Sequence, residues 1–169
     1  RDLAEVDLVI GNTGKATLVK QVVEWKKESM VPCSIGTDSQ ILQLKSSRTR
    51  AMVKIQEGCN QICAYCIVPK VRGRERSIPP DQILHQINEY ISSGYKEVVL
   101  TGTQLGSYGF DIPDINLAGL ITRILNETEV LRLRVSSLQA QEIDSNLLSN
   151  WADPRLCPHF HLALQSGSD

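Results

Sequence analysis

Three cysteines lie within eight residues of one another, at Cys59, Cys63 and Cys66. Thiolates at this spacing can hold a metal centre from one short loop, and soft sulfur ligands select zinc or an iron–sulfur cluster. A structural zinc site needs four ligands and usually takes two of them from a second Cys or His pair. No such pair follows at the expected distance. The spacing therefore favours a 4Fe-4S cubane with one iron open to chemistry, and zinc is the alternative.

The remaining cysteines, Cys33 and Cys157, lie far from this group. An odd count of five, clustered in one place, does not fit the disulfide framework of a secreted domain. Cytosolic thiols stay reduced, so the cysteine pattern favours a cytoplasmic location. We expect Cys157, between Leu156 and Pro158, to be a buried thiol.

Strand and helix signals alternate along the chain after residue 50. The apolar runs predict four strands, at 52–55, 98–100, 131–135 and 160–164. Helices are predicted after the first three strands: one from the prolines at 79–80 to Gly94, one that Asn116 caps, and one over 143–151. Such alternation is typical of parallel strands covered by helices. The sequence therefore predicts an α/β fold, and four strands without closure correspond to part of a (β/α) barrel.

The residues before 50 form a separate series. A short buried strand is predicted over 6–10, followed by a helix over 14–28 that Thr13 caps. The stretch from 31 to 47 contains Pro32, Gly36 and many small polar residues, which is typical of a linker. We therefore expect two domains, over 1–30 and 50–169, joined by a linker at 31–49.

Each predicted strand ends in a polar segment. The cysteine loop follows the first strand, and the other three segments are Thr101-Gly102-Thr103-Gln104, Ser136-Ser137 and Gln165-Ser166-Gly167. Loops that follow parallel strands collect at one face of a barrel, where function resides. We therefore expect Ser136 and Gln165, with the threonines of the second segment, to share a cofactor site with the cysteines.

The net charge and the hydropathy of the chain leave most classes of function open. The net charge of −1 gives no indication of nucleic-acid binding, but eight Lys or Arg residues between 45 and 76 are opposed only by Glu57 and Glu75. This basic segment could receive phosphates, or it could be a solvated surface with local ion pairs. No apolar run is long enough to span a bilayer and no signal peptide opens the sequence. Because the first residue is Arg1 and a strand signal runs up to the last residues, we expect a fragment of a longer protein.

Two of the predicted strands each carry a pair of polar residues on one face. His159 and His161 share one face of the fourth strand, and Arg132 and Arg134 share one face of the third. Hydrogen-bonded or barrel-lining histidines are favoured over metal ligands. An arginine could meet the carboxylate of a cofactor, but a structural ion pair fits at least as well.

The sequence segments around the cysteines resemble those of a known family. Gln56-Glu57-Gly58-Cys59-Asn60, Tyr65-Cys66-Ile67-Val68-Pro69 and Arg72-Gly73-Arg74 are similar to the signature of radical S-adenosylmethionine (SAM) methylthiotransferases that modify tRNA. The segment 101–109 resembles the second-strand loop of that family. The segment 157–167 resembles the branch that acts on threonylcarbamoyladenosine beside the anticodon.

This resemblance implies a function. Cys59, Cys63 and Cys66 would hold a 4Fe-4S cluster whose free iron binds SAM, Tyr65 would lie near the adenine, and Thr101 to Thr103 would meet the methionine end. The reaction would add a methylthio group to C2 of N6-threonylcarbamoyladenosine at position 37 of tRNA. A flavodoxin or ferredoxin would donate electrons.

The resemblance also implies parts outside this sequence. Residues 1–30 would be the end of an N-terminal methylthiotransferase domain that carries a second 4Fe-4S cluster. Residues 50–169 would be an incomplete radical SAM domain, with about four of six barrel strands, and the fragment alone would be inactive. Ile78 stands where many members of the family carry arginine, and Gln139-Ala140 stand where many carry glutamate-proline. These departures concern the substrate-facing loops and not the cluster.

Three alternatives stay open at this point. The chain could belong to a methylthiotransferase for isopentenyladenosine-37, or to a radical SAM enzyme of another substrate class. It could also be a zinc-stabilised module that binds nucleic acid. Iron content, cleavage of SAM and dependence on tRNA distinguish the three.

Overall fold

The computed structural model describes residue 6 and the ranges 8–28, 49–164 and 166–167. The chain divides into two compact units, Arg1–Lys45 and Ser46–Asp169. The predicted linker, Cys33 and Gln165 lie outside the described residues, and the predicted domain boundaries stay a prediction.

The elements follow the predicted alternation. The helices are α1 (Leu18–Glu28), α2 (Val68–Arg72), α3 (Pro80–Ser92), α4 (Leu117–Glu127) and α5 (Ser145–Ser149). The strands are β1 (Arg50–Lys54), β2 (Gln56–Glu57), β3 (Arg76–Ser77), β4 (Glu97–Thr101), β5 (Leu133–Val135), β6 (Ser137–Leu138) and β7 (His161–Leu162). None of the helices in the described ranges has the length and apolar character that crossing a bilayer requires.

A parallel sheet of order β1-β4-β5 forms the centre of the second unit. Its register places Ala51 beside Val98 and Val53 beside Leu100, so these apolar side chains share one face of the sheet. Helix α3 packs against β1 and against α4. The predicted α/β architecture with parallel strands is confirmed, whereas closure into a barrel stays a prediction.

The helices bury their apolar faces against this sheet. Ile83 and Ile87 of α3 are completely buried, as are Leu120 and Ile124 of α4. Pro80 begins α3 where a missing N–H costs nothing. The Asn116 side chain accepts a hydrogen bond from the Gly119 amide at 2.9 Å, which confirms the predicted cap of α4.

The fourth strand differs from its prediction. The strand predicted over 160–164 is reduced to β7, which pairs in parallel with β6 beyond the end of β5. The segment beside β5 itself comes earlier: the Leu133 amide donates to the Arg155 carbonyl and the Cys157 amide donates to the Leu133 carbonyl, both at 2.8 Å. Pro158 lacks an N–H and interrupts this pairing, so the fourth strand is broken into two short pieces.

The first unit also differs from its prediction. Among the described residues, Val6 and residues 8–10 form no strand, and Val6, Leu8 and Val9 are exposed. A strand requires a neighbour with which to pair, and no described residue pairs with this segment. A 3₁₀ helix over Asn12–Thr17 precedes α1, with Gly11 at its start and no side-chain cap, so the predicted cap by Thr13 is wrong.

Two predictions about single side chains are confirmed. Cys157 is a buried thiol, 5% exposed. The arginines form a structural ion-pair cluster: the buried Glu97 carboxylate lies 2.8 Å from Arg134 Nε, 3.0 Å from Arg50 Nε and 3.5 Å from Arg132 Nε. Burial acts to raise the pKa of Glu97, but the hydrogen bond and charge of Arg134, with the charges of Arg50 and Arg132, hold this pKa below its usual value.

Replacement of Glu97 tests this cluster. A carboxyl whose pKa is lower in the folded state contributes stability above its unfolded pKa, and this contribution is lost as the pH falls through the folded value. We expect Glu97→Gln to lower the free energy of unfolding by roughly 1–3 kcal/mol at pH 7. The difference should shrink as the pH falls from the ordinary value of 4.5 through the lowered pKa.

Urea titrations at several pH values measure this effect. Glu127→Gln is the matched control, because Glu127 pairs with Arg123 on an exposed helix surface and should cost less. An equal loss for both variants, or a loss for Glu97→Gln that does not depend on pH, would contradict the prediction.

Candidate metal and cofactor site

The cysteine loop begins at the end of β2 and runs into α2. Cys59 is half-buried, whereas Cys63 and Cys66 are exposed. The Cys59 amide donates to the Gly73 carbonyl at 3.3 Å, and the Cys66 amide donates to the Cys63 carbonyl at 3.2 Å. The loop is therefore anchored at Cys59 and presents the other two thiols to solvent.

A short hairpin forms the base of this loop. Strands β2 and β3 pair antiparallel, with Gln56 opposite Ser77 and Glu57 opposite Arg76. Gly58 follows with φ of +80°, and a Cβ atom on Gly58 would lie 2.1 Å from the Arg74 carbonyl oxygen. Only glycine allows both this backbone conformation and this close approach. The first residue of the cysteine loop is therefore fixed by packing of backbone against backbone.

The Gln56 side chain joins the cysteine loop to the loop after β4. Gln56 is completely buried. Its Oε1 atom accepts from the amides of Thr103 at 2.9 Å and Gln104 at 2.8 Å, and its Nε2 atom donates to the Gly58 carbonyl at 2.8 Å. One side-chain amide thus forms hydrogen bonds with three backbone groups that belong to two loops. We call this set of three hydrogen bonds the Gln56 clamp.

A second set of polar side chains reaches Cys59 itself. The Cys59 thiol donates to Gln104 Oε1 at 3.8 Å, and Gln139 Nε2 donates to the same oxygen at 2.8 Å. Gln104 Nε2 also donates to Glu142 Oε1. The second carboxylate oxygen, Glu142 Oε2, accepts from the backbone amide of Gln139 at 2.8 Å. These contacts fix the orientation of the Gln104 amide beside the first cysteine.

The predicted cofactor residues lie at the expected edge of the sheet. The Thr101 hydroxyl donates to the Val53 carbonyl at 3.2 Å, and the Ser136 amide donates to the Leu100 carbonyl at 3.1 Å. A Cβ atom on Gly102 would meet Leu105 at 2.9 Å and Gln56 at 3.1 Å. Tyr65 is 84% exposed, so its ring does not fill a core within the loop.

Two buried oxygens in this region have no hydrogen-bond partner among the described residues. They are Thr103 Oγ1 and Glu75 Oε1. Burial raises the pKa of Glu75, opposed by a hydrogen bond with Asn60, and the nearby Asp111 and Glu142 carboxylates raise it further. An unsatisfied hydroxyl beside an open strand end fits a polar ligand that would complete its bonding.

The three sulfurs are not drawn to a common point in this structure. Within the described ranges, no three His, Cys, Asp or Glu side chains lie close enough together to hold a metal ion. The chemistry of the donors nevertheless fits an iron–sulfur cluster, because three thiols stand on one accessible loop. The assignment of Cys59, Cys63 and Cys66 as ligands stays a prediction.

His161 of the predicted fourth strand is hydrogen-bonded, as was favoured, whereas the role of His159 stays a prediction. His161 Nδ1 shares a hydrogen bond with the Ser137 hydroxyl at 2.8 Å, and both His159 and His161 are exposed. Sequence reasoning missed Gln56 and Glu142 as site residues. Gln56 lies three residues before Cys59, and this proximity is a signal, whereas nothing in the sequence connects Glu142 with Cys59.

Comparison with known proteins agrees with this geometry. The model of the Radical SAM superfamily matches residues 53–169, and the chain belongs to this superfamily. The chain is similar in fold to the radical SAM methyltransferase TsrM from Kitasatospora setae, with a TM-score of 0.52, 16% identity, and coverage of 68% of this chain and 22% of that chain.

More specific relatives are methylthiotransferases. The chain is 38% identical to the threonylcarbamoyladenosine tRNA methylthiotransferase MtaB of Aquifex aeolicus, over 99% of this chain and 42% of the relative. It is 37% identical to a tRNA-2-methylthio-N(6)-dimethylallyladenosine synthase of Syntrophobacter fumaroxidans, over 97% of this chain and 38% of the relative. The chain thus spans about two fifths of the length of these relatives. The resemblance to the methylthiotransferase family is confirmed.

Removal of the Gln56 clamp should destabilise the second unit. We expect Gln56→Leu to lower the free energy of unfolding by roughly 3 kcal/mol or more, because the amides of Thr103 and Gln104 and the Gly58 carbonyl would be buried without partners. Urea unfolding followed by circular dichroism measures this loss. Gln82→Leu on the exposed surface of α3 is the control and should change stability little; equal effects would refute the clamp.

A pair of glycine variants tests the packing at the loop base. Gly58 and Gly73 share a φ of +80°, but a Cβ atom has open space at Gly73 and a backbone clash at Gly58. We expect Gly58→Ala to cost more unfolding free energy than Gly73→Ala and to reduce the iron bound per chain after anaerobic reconstitution. The difference between the variants reports chiefly on the clash, since both residues have the same positive φ. Iron retention as high in Gly58→Ala as in Gly73→Ala would show that the loop base does not need this contact.

Proposed function

We propose that the chain is the radical SAM part of a tRNA methylthiotransferase. The observation that supports this most strongly is the cysteine triplet on a loop that the Gln56 clamp joins to the loop after β4. The methylthiotransferase relatives, which match nearly the whole chain, support the same reaction class. The proposed reaction class is transfer of a methylthio group to a tRNA nucleoside.

For the substrate, we propose C2 of N6-threonylcarbamoyladenosine at position 37 of tRNA. The MtaB relatives of Aquifex aeolicus and Bacillus subtilis, 38% and 34% identical, carry this nucleoside in their names. The second candidate is the dimethylallyl (isopentenyl) adenosine at the same position. The Syntrophobacter fumaroxidans relative, at 37% identity, supports this candidate almost equally.

The proposed cofactors are a 4Fe-4S cluster and SAM. Cys59, Cys63 and Cys66 would ligate the cluster, and one iron without a protein ligand would receive SAM. When bound, these groups supply one-electron cleavage of a sulfonium bond and the hydrogen abstraction that follows.

Other residues of the candidate site would bind and orient SAM. The exposed Tyr65 ring lies on the cysteine loop and would cover the adenine of SAM. The Thr103 hydroxyl, which lacks a partner among the described residues, would bond the methionine end together with Thr101 and Gly102. Ser136 follows β5 and would line the same face, as would Gln165. The Gln56 clamp would hold the two loops at a fixed separation while substrate binds.

Further proposals concern the protein to which this chain belongs. Residues 1–30 would end an N-terminal methylthiotransferase domain with a second 4Fe-4S cluster, and 31–49 would be the linker to the radical SAM domain at 50–169. The partners would be the anticodon loop of tRNA and an electron donor such as flavodoxin or ferredoxin. Free cysteines and an oxygen-sensitive cluster favour a cytoplasmic location.

Anaerobic reconstitution with iron and sulfide tests the cluster. We expect a brown protein that, once reduced, converts SAM to 5′-deoxyadenosine and methionine, measured by chromatography. Alanine at Cys59, Cys63 or Cys66 should abolish cluster binding, whereas Cys157→Ala should retain it because this thiol is buried beside β5. A colourless protein with one zinc per chain would instead identify a zinc-binding module.

Two tRNA substrates test the nucleoside. Release of 5′-deoxyadenosine by the full-length parent protein should rise with tRNA that carries threonylcarbamoyladenosine and stay at its basal rate with tRNA that carries dimethylallyladenosine. The reverse preference would select the second candidate. Cleavage of SAM without any response to tRNA would indicate a radical SAM enzyme of another substrate class.

A further inference from the structure

An aromatic side chain stands in solvent near the cysteine loop. Phe110 is 72% exposed, whereas Tyr108, two residues earlier in the same loop, is 1% exposed. The loop follows β4, so it lies at the edge of the sheet that carries the candidate site. Exposed single apolar residues are common, and the case for a function depends on how Phe110 is held and what surrounds it.

The loop around Phe110 is fixed to β3 and to Ile78, the residue that follows β3. The Tyr108 hydroxyl donates to the Ile78 carbonyl at 2.8 Å, and its burial raises the pKa of Tyr108 to about 12. The Gly109 amide donates to the Ser77 hydroxyl at 2.9 Å, and the Ser77 amide donates to the Asp111 carboxylate at 3.0 Å. These bonds bracket Phe110 on both sides.

The backbone at Gly109 adds to this constraint. Gly109 has φ of +89°, and a Cβ atom there would lie 1.9 Å from the Ile115 carbonyl oxygen. The Phe110 amide donates to the Ser107 carbonyl at 3.0 Å. A ring presented on so constrained a backbone loses little conformational entropy when it binds a flat partner.

Three basic residues lie in the segment between the cysteine loop and Ser77. Lys70, Arg72 and Arg74 are exposed, and in the described ranges no carboxylate pairs with them. Arg74 is three residues before Ser77 in an extended segment, so their Cα atoms are within about 10 Å of each other.

Two acidic groups nearby, Asp111 and Glu75, are engaged or partly buried, whereas Asp114 in the same loop is exposed. Asp111 accepts the Ser77 amide. Burial raises the pKa of Glu75, which lies close enough to feel the Asp111 charge. Arg76, next to Ser77, pairs with Glu57 at 3.8 Å. From α2 to β3, the cations without a carboxylate partner among the described residues are therefore Lys70, Arg72 and Arg74.

We propose that Phe110 is a stacking platform for an unpaired base of the RNA loop, with phosphates of the same loop bound by Lys70, Arg72 and Arg74. This inference deepens the proposed function and rests on it. A rigid exposed ring on a loop bonded to Ser77, with unpaired cations in the segment that leads to Ser77, matches single-stranded RNA, in which unstacked bases meet aromatic side chains while the backbone meets Lys and Arg. Duplex RNA does not offer a free base, so the surface selects the loop over the stem.

Fluorescence titration of this chain with a hairpin RNA tests the proposal. The probe carries 2-aminopurine in its single-stranded loop, and the same strand annealed to its complement is the duplex comparison. We expect the hairpin to bind more tightly than the duplex and its fluorescence to be quenched. Phe110→Ala and Phe110→Leu should weaken hairpin binding roughly 5- to 100-fold and remove the quenching. Phe110→Trp should retain both.

Controls separate stacking from loss of structure and from charge. Leu131→Ala removes a similarly exposed apolar group before β5 and should leave the dissociation constant unchanged. Arg74→Ala should weaken binding and lower the slope of log affinity against log salt by about 0.7. Thermal unfolding should be the same for Phe110→Leu and the parent chain, since the ring is exposed.

Two results would overturn the stacking proposal. Hairpin binding and quenching by Phe110→Leu equal to those of the parent chain would show that RNA binds elsewhere, and the proposed RNA-modifying function would stand. Failure of the parent chain to prefer hairpin over duplex would also reject the surface, for example in favour of a protein partner. The reconstitution and SAM-cleavage experiments judge the enzyme class independently of both results.

Discussion

The candidate site depends on one buried side-chain amide. Gln56 carries no charge and stands at the end of the sheet, where β1 has ended and two loops of different origin must be held together. An amide has donors and acceptors at opposite ends, so it can satisfy the amides of Thr103 and Gln104 and the carbonyl of Gly58 at once. A hydrophobic residue would fill the same space and leave three backbone groups unpaired. The position of the first cysteine relative to the strand-end loop is therefore set by hydrogen bonding, and packing alone would not define it.

Three further contacts hold the loops at this edge of the sheet in position. The hairpin of β2 and β3 fixes Gly58 against Arg74, the Gln104 amide faces Cys59, and the loop through Tyr108 and Asp111 is tied to Ser77. The last two contacts connect the cysteine loop or its base with the loop after β4, and the first closes the base itself. The parallel sheet makes this arrangement accessible, because its strands all end at one edge. The fold brings the loops together, and the polar side chains determine their separation.

Much of this could be predicted from the sequence, for reasons that individual residues make clear. The amphipathic spacing of Ile83 and Ile87 and the Asn116 cap are local signals, and α3 and α4 form where these signals place them. The strand predicted over 6–10 failed because pairing requires a partner that local sequence does not reveal. The fourth strand failed in detail because register is decided by neighbours: Arg155 and Cys157 pair with Leu133, and Pro158 then interrupts the run. Likewise, the contact between Gln104 and Glu142 joins residues 38 positions apart, and no local pattern encodes it.

The two ends of the central sheet differ in how their charges are paired. At the amino end of β4, the Glu97 carboxylate holds Arg50, Arg132 and Arg134 in one ion-pair cluster, while the unpaired cations lie beyond the carboxyl ends. The strands between them are five residues long or shorter, but the side chains in between are apolar and tightly buried. A substitution in the ion-pair cluster can therefore change the stability of the sheet without altering the loops that carry the cysteines.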